Sequence, residues 1–199
     1  AYNKGAYYTE VGDFSGAGSA NMLSQTKFEQ GHVELSLGQD NYQRLVVTDS
    51  IDIAAGSLLF GIEANRYDGS WTDINEDVDK RNLLVKYSNE LAGGNFSITG
   101  MAYDNSWNSA DQIPQRAVEQ GLLDELGSLD TTVGGESSRY SFSTQWQNEH
   151  VNLSFYAINY DLNLWSNFTY FLDDPVNGDQ FEQVDERLIY GGEASFQFA

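Results

Sequence analysis

The residue types that usually carry catalysis or metal binding are few and scattered in this chain. His32 and His150 stand alone, without a neighbouring nucleophile or a metal-ligand spacing such as HExxH, and cysteine is absent. The acidic stretch 173–179, DDPVNGD, offers oxygen ligands for Ca²⁺ but lacks the regular EF-hand spacing, which favours a solvated loop. The Gly-rich stretch 12–20, GDFSGAGSA, lacks the GK[ST] of a phosphate loop. We therefore predict no catalytic residue, no metal site and no cofactor, and we do not expect an enzyme.

The charge balance restricts the partners of the chain. Its 199 residues include 30 acidic and 10 basic side chains, which gives a formal net charge of −20. Binding to phosphate groups needs clustered Lys and Arg, so nucleic acid is not an expected partner. No apolar run reaches the roughly 18 residues that a membrane-spanning helix needs.

The positioning elements are predicted to be β-strands, because apolar and polar residues alternate with period two through most of the sequence. In 33–37, for example, Val33, Leu35 and Leu37 share one face, and Glu34 and Ser36 share the other. The same alternation recurs in 58–64, 83–87, 96–102, 140–146, 151–157 and 188–198. Adding 42–51, whose parity is ambiguous, predicts eight strands. Charged residues are expected to avoid the apolar parity.

The predicted connections alternate in length. Long loops are expected at 68–79, 108–136 and 172–182, with a shorter one at 39–42 on the same rim, whereas turns at 53–56, 90–94 and 147–150 are short. Long loops on one rim and short turns on the other are typical of an up-and-down transmembrane β-barrel. Both prolines fall in the long loops, as expected if Pro is excluded from central strands.

One long loop is predicted to contain a short helix. Pro114 suits a first helical turn, Val118, Leu122 and Leu126 recur at helical spacing, and Gly127 offers a C-terminal stop. Long loops with structure of their own are usually functional.

A weak repeat closes three of the strands just before long loops: YDGSW, YDNSW and YDLNLW. Tyr and Trp concentrate at membrane interfaces, because their rings prefer hydrocarbon and their polar tips prefer water. The predicted interface anchors are Tyr67, Trp71, Tyr103, Trp107, Trp146, Tyr160 and Trp165. The predicted ligand contacts, aromatic and polar groups at the rim of the long loops, are Trp107, Asn108, Gln115, Arg116, Asn163 and Trp165.

Several longer stretches carry a family resemblance: TEVGDFSGAGSANM, MAYDNSWNSADQIPQRAVEQGLLDELGSLD, SSRYSFSTQWQ, NYDLNLWSNFTYFLDDPVNGDQFEQ and YGGEASFQF. On the basis of these stretches, essentially the whole chain resembles TonB-dependent outer-membrane receptors, whose barrel of about 22 strands encloses a plug domain. The resemblance implies that 1–27 is the plug-exit segment and that 28–199 holds barrel strands 1 to 8. It implies uptake of a small polar nutrient or chelate across the bacterial outer membrane. The expected partners are outer-membrane lipid, the remaining strands of the receptor, and TonB through a plug that is missing from this sequence.

Two alternatives stay open at this point. The eight strands could close on themselves into a small membrane barrel with a structural role and no transport. A soluble β-sandwich binding module with an acidic surface is the other. An open sheet in lipid would leave two unpaired edges, so a membrane barrel requires either closure or further strands.

Overall fold

The computed structural model describes residues 2–5, 16–20 and 23–198. Part of the segment 1–27 therefore lies outside the described residues. The elements are the strands β1 (Tyr2–Lys4), β2 (Gly18–Ala20), β3 (His32–Leu37), β4 (Gln43–Ile53), β5 (Gly56–Tyr67), β6 (Val78–Leu91), β7 (Gly94–Asn108), β8 (Gly134–Gln147), β9 (Val151–Ser166) and β10 (Phe181–Phe196), with one helix, α1 (Gln115–Glu119), between β7 and β8.

Eight of these strands form one antiparallel sheet. Their order, β10-β9-β8-β7-β6-β5-β4-β3, follows the sequence, so every strand pairs with its neighbour along the chain. β1 and β2 form a separate two-stranded sheet. The eight predicted strands are confirmed. So is the alternation of the connections: two or three residues separate the strands at one rim, and 68–77, 109–133 and 167–180 form the long loops at the other.

The sheet is not closed, because β3 and β10 are its two edges and do not pair with each other. The alternative of an eight-stranded barrel closed on itself is therefore wrong for the described residues. A sandwich would need a second large sheet packed on the first, and the described residues form only the two-stranded pair besides this sheet.

Several strands are also longer than their apolar alternation indicated. β8 begins at Gly134 and β10 at Phe181, because the halves of these strands next to the long loops are mostly polar and have no apolar alternation.

The cross-strand register places the predicted apolar parities on a single face. Val33 is opposite Val47, Ile62 is opposite Leu83, and Phe155 is opposite Thr144. Since directly opposed residues point to the same side of a sheet, the apolar parities of all eight strands lie on one side, which we call the apolar face. The other parity, including Glu63, Lys86, Ser97 and Ser143, forms the polar face.

The exposure of the two faces is the reverse of that in a protein with an apolar interior. Leu35 is 66% exposed and Leu188 70%, and all but four of the exposed large apolar side chains in the eight strands lie on the apolar face. The four exceptions are Met101, Tyr156, Phe181 and Ile189. The buried side chains of the eight strands, Leu59, Asn65, Lys86, Ser88 and Ser166, all lie on the polar face.

The total surface agrees with this arrangement. The accessible area is 13833 Å², whereas a compact monomer of this mass exposes about 9400 Å². Only Leu59, Ala117 and Val133 are buried apolar residues among those described. The sheet therefore has no apolar core of its own.

Two local expectations need correction. The helix does not run to Leu126: it ends at Glu119, and Gly121, with a φ of 65°, turns the chain away. Asp49 on β4 lies on the apolar face opposite Phe60, so charged residues do not wholly avoid that face.

Candidate ligand-binding face and loop cap

The polar face carries a strap formed by residues 23–28. The ammonium of Lys86 donates to the backbone oxygen and the hydroxyl of Ser24, both at 3.0 Å. Ser57 donates to the backbone oxygen of Thr26 at 2.8 Å, and the backbone N–H of Phe28 donates to the Ser50 hydroxyl at 2.9 Å. The strap thus crosses β4, β5 and β6 near the short turns, and Lys86 is buried beneath it.

Beside the strap, the polar face holds a hollow of about 1170 Å³. Small hydroxyl and amide side chains of neighbouring strands line it, among them Ser97, Thr99, Ser143 and Gln145. Donors and acceptors of this kind suit a polar solute or a polypeptide segment better than an apolar ligand.

A charged cluster occupies the polar face of β3 to β6. Arg44 donates to Glu63 at 2.7 Å and to Glu34 at 3.3 Å, and Asn82 donates to Glu63 at 2.7 Å. Lys80 lies 3.8 Å from the Glu63 carboxylate. These charges satisfy one another, so the cluster fastens adjacent strands and leaves no free charge for a ligand.

A row of aromatic and basic residues crosses β7 to β10 on the same face. Tyr103 is opposite Arg139, Arg139 is opposite Tyr160, and Tyr160 is opposite Arg187. The Arg187 guanidinium lies 5.2 Å from the centre of the Tyr160 ring and is also hydrogen-bonded to Asp185. We call these four residues the Tyr–Arg row.

The three long loops dock on one another and form a cap at one rim. The Asp73 carboxylate accepts the backbone N–H of Ser128 at 2.8 Å, which joins loop 68–77 to loop 109–133. The Tyr170 hydroxyl donates to the backbone oxygen of Gln112 at 2.7 Å, which joins loop 167–180 to loop 109–133. Val133, 2% exposed, is the most buried apolar residue of the cap.

Asp130 is a central acceptor of this cap. Its carboxylate accepts the side-chain amide of Asn167 at 2.7 Å, the hydroxyl of Thr132 at 2.6 Å and the amide of Gln180 at 3.3 Å. Burial raises the pKa of Asp130, but these hydrogen bonds outweigh that effect and the pKa is lowered. Burial, with the nearby Asp111 and Asp130 carboxylates, raises the pKa of Tyr170.

The acidic stretch 173–179 is folded around its own carboxylates. The backbone N–H groups of Asp174, Leu172 and Asp173 donate to Asp179, at 2.7, 2.9 and 3.1 Å, and hold its pKa below the usual range. The Asp174 carboxylate accepts the N–H groups of Asn177 and Val176, which lower its pKa in the same way. Among the described residues, no group of three or more acidic or histidine side chains is arranged to hold a metal ion.

The structure does not bring the predicted ligand contacts together. Trp107 lies on the polar face with its ring over Gly135, whereas Asn163 and Trp165 lie on the opposite face. Asn108 fastens the cap by donating to the backbone oxygen of Asn75 at 2.9 Å. Gln115 and Arg116 lie in α1 at the outer surface of the cap, where Gln115 donates to Glu119 at 2.7 Å.

The predicted interface anchors are also divided between the faces. Tyr67, Tyr103, Trp107 and Tyr160 lie on the polar face, and Trp71 lies in a loop with its indole N–H donating to Glu76. Trp146 and Trp165 lie on the apolar face, but Asn159, Asp161 and Asn163 separate Trp165 from the apolar residues of β9. Trp146 is the only one of the seven that borders the apolar residues of its own face.

Sequence reasoning missed the strap on Lys86 and the role of Arg139 as a neighbour of two tyrosines. Parity alone could have found the second feature. Tyr103 is an odd number of residues after Ile98, and Arg139 is one residue before the apolar parity of β8 begins at Tyr140, so both belong to the polar parity.

Comparison with other proteins adds no assignment, since the chain matches no protein-family model, no curated protein and no solved structure. Among the described residues, none of the helical structure has the length and apolar content needed to cross a bilayer.

Proposed function

We propose that this chain is part of an outer-membrane β-barrel of the TonB-dependent receptor type, which takes up a small polar nutrient or chelate. The observation that carries the proposal is the reversed sheet: its apolar face is exposed, and its polar face bears the buried contacts. Lipid hydrocarbon covers the apolar face without any protein core, and strands of alternating parity are the expected way to cross an outer membrane.

The height of the apolar face supports this proposal. The apolar parity extends over seven to nine residues in most strands, for example Tyr140 to Trp146 and, with Asn89 as its one amide, Leu83 to Leu91. At about 3.3 Å per residue this is about 20 to 26 Å along the strand, or about 15 to 20 Å of height at a strand tilt of about 40°, which is most of the ≈25 Å apolar band of outer-membrane barrels. Asp104, Asp161 and Glu186 lie on the same face but nearer the long loops, beyond the end of the apolar band, where the hydrocarbon would end.

The open edges support a barrel larger than eight strands. β3 and β10 both expose their apolar side chains at about 70%, as Val33 and Tyr190 show, whereas Leu83 and Phe142 in central strands are near 43%. Edge strands in lipid leave unpaired backbone groups that cost several kcal/mol each. Further strands are therefore required on both sides, and the polar face then lines the interior of the barrel.

In this arrangement the strap occupies the interior, on the side of the short turns, and the loop cap lies at the external rim. The resemblance of the first 27 residues to a plug exit is consistent with the strap, because a plug must leave the barrel along its inner wall. The polar hollow and the Tyr–Arg row would then face the solute path.

The tryptophans provide a direct test. In single-tryptophan variants folded in lipid vesicles, we expect bromine atoms on the acyl chains to quench Trp146 strongly and to spare Trp107. Water-soluble acrylamide should quench Trp165 more than Trp146. Equal quenching of Trp107 and Trp146 by the brominated lipid, or none of either, would contradict the proposal.

A further inference from the structure

We propose that the polar face of β7, β8 and β9 is a binding wall for a sugar acid, with the carboxylate of the solute held by Arg139 between Tyr103 and Tyr160. The proposal rests on the function proposed above, because only in a barrel does this face line a solute path.

The first observation is the absence of carboxylates. In a chain with 30 acidic residues, the polar parity of these three strands, which are fully described, contains no Asp and no Glu. The acidic residues of the same strands, Asp104, Glu136 and Asp161, all point to the opposite face. At physiological salt, a carboxylate repels an anion appreciably only within about 8 to 10 Å. Because this wall has no carboxylate of its own, an anion meets less repulsion there than elsewhere on a chain of net charge −20.

The second observation is that Arg139 is the only charged side chain of this wall. No carboxylate lies within 4.0 Å of its guanidinium among the described residues. Most other cations on the sheet are paired: Arg44 with Glu63, Arg81 with Asp79, and Arg187 with Asp185. Arg139 is exposed on its face and presents a planar fork of donors that matches a carboxylate.

The surroundings of Arg139 specify the rest of the solute. Tyr103 and Tyr160 flank Arg139 on the neighbouring strands, which lie about 4.8 Å from β8. The Tyr103 ring, and the face of the Tyr160 ring that Arg187 does not cover, can carry the C–H face of a sugar. Ser137 and Ser141 flank Arg139 along β8 and offer hydroxyl groups. One cation, two aromatic rings and several small polar groups therefore fit a polyhydroxylated carboxylate.

The test uses a matched pair of ligands, trigalacturonate and its neutral methyl ester, with the protein folded in lipid vesicles or detergent. We expect the wild-type protein to bind the acid at least tenfold more tightly than the ester at low salt, and this ratio should shrink as salt is added. Arg139→Gln should reduce the ratio to less than twofold. Arg139→Lys, which keeps the charge, should retain an intermediate ratio.

Arg81→Gln is the matched control, because Arg81 is paired with Asp79 on the apolar face and should leave the ratio unchanged. The inference is overturned if the wild-type protein does not distinguish acid from ester, or if Arg139→Gln keeps the distinction. It is also overturned if Arg139→Gln lowers the melting temperature without altering the ratio, since Arg139 would then pair with an acidic polypeptide segment. Bromolipid quenching of Trp146 in the same preparations separates this failure from failure of the membrane assignment.

Discussion

At the scale of single residues, Asp130 shows how the loop cap is held by buried polar contacts. Asn167 is 5% exposed, and its side-chain amide depends on Asp130 as an acceptor. Asp130→Ala leaves that donor unsatisfied, which costs about 1–3 kcal/mol. We expect the cap to open locally, measured as faster amide exchange in 128–133 and 167–170 with unchanged exchange in the strands. Asp124→Ala, at an exposed carboxylate of the same loop, is the control and should have little effect.

The acidic turn gives a pH prediction at the same scale. Backbone N–H groups lower the pKa of Asp179, so its contribution is present above the ordinary pKa of an aspartate and is lost as the pH falls through the lowered value. We expect loop 167–180 to become sensitive to a protease only at strongly acidic pH, and Asp179→Asn to be sensitive already at neutral pH. Equal resistance of the two proteins at neutral pH would show that the turn does not depend on this carboxylate.

A third residue-scale prediction concerns the turn between β6 and β7. Ala92 has a φ of 51°, in the left-handed region where a side chain costs about 1–2 kcal/mol. Ala92→Gly should therefore stabilise the folded chain by up to about 1 kcal/mol, measured by denaturant unfolding. Ala157→Gly, inside β9, should destabilise it by about 0.5–1 kcal/mol. A loss of stability in Ala92→Gly would be inconsistent with a left-handed backbone conformation at Ala92.

At the scale of elements, the strap is held by a buried contact, that of Lys86, and also makes an exposed ion pair that should contribute little. Lys86 is buried with no carboxylate among its described contacts, so Lys86→Met removes both bonds to Ser24 without losing the packing of the stem. We expect amide exchange in 24–28 to rise about tenfold, while the sheet keeps its stability. Lys27→Ala breaks only an exposed pair with Asp52 and should change little. Equal effects of the two variants would show that the strap is not fixed by Lys86.

The strands themselves were predictable, and the reason is physical. A strand whose two faces contact different surroundings has apolar residues at every second position. Val33, Ile98 and Phe155 could therefore each be assigned to the apolar parity of their own strand without a structure. The halves of β8 and β10 next to the long loops were not predictable in this way, since most side chains there are polar on both faces. The contacts of the strap join residues far apart in sequence, such as Ser24 and Lys86, and no local sequence pattern predicts them.

The candidate site was predicted less well than the fold. The repeat of Tyr and Trp predicts interface anchors from residue type alone, without strand parity, so it places Tyr103 on the lipid side although this residue lies on the polar face. Trp107, which is also a predicted ligand contact, lies on the polar face as well. Trp165 is five residues after Tyr160 and therefore lies on the opposite face from it. Residue type indicates where a side chain prefers to be, but the parity of the strand decides which side it reaches.

At the scale of the whole molecule, the reversed distribution of apolar and polar residues predicts how a single charge is tolerated. Phe142 and Ser143 are neighbours on β8 that point to opposite faces. An arginine on the lipid-facing side near mid-depth costs about 2–4 kcal/mol, whereas one on the interior side remains hydrated. Phe142→Arg should therefore fold into lipid vesicles with much lower yield than the wild-type protein, and Ser143→Arg should fold nearly as well. Yields are measured by protease resistance after folding. If Ser143→Arg is the more damaging variant, the polar face packs against a dry surface and the apolar face is not in lipid, because a charge is excluded from whichever side lacks water.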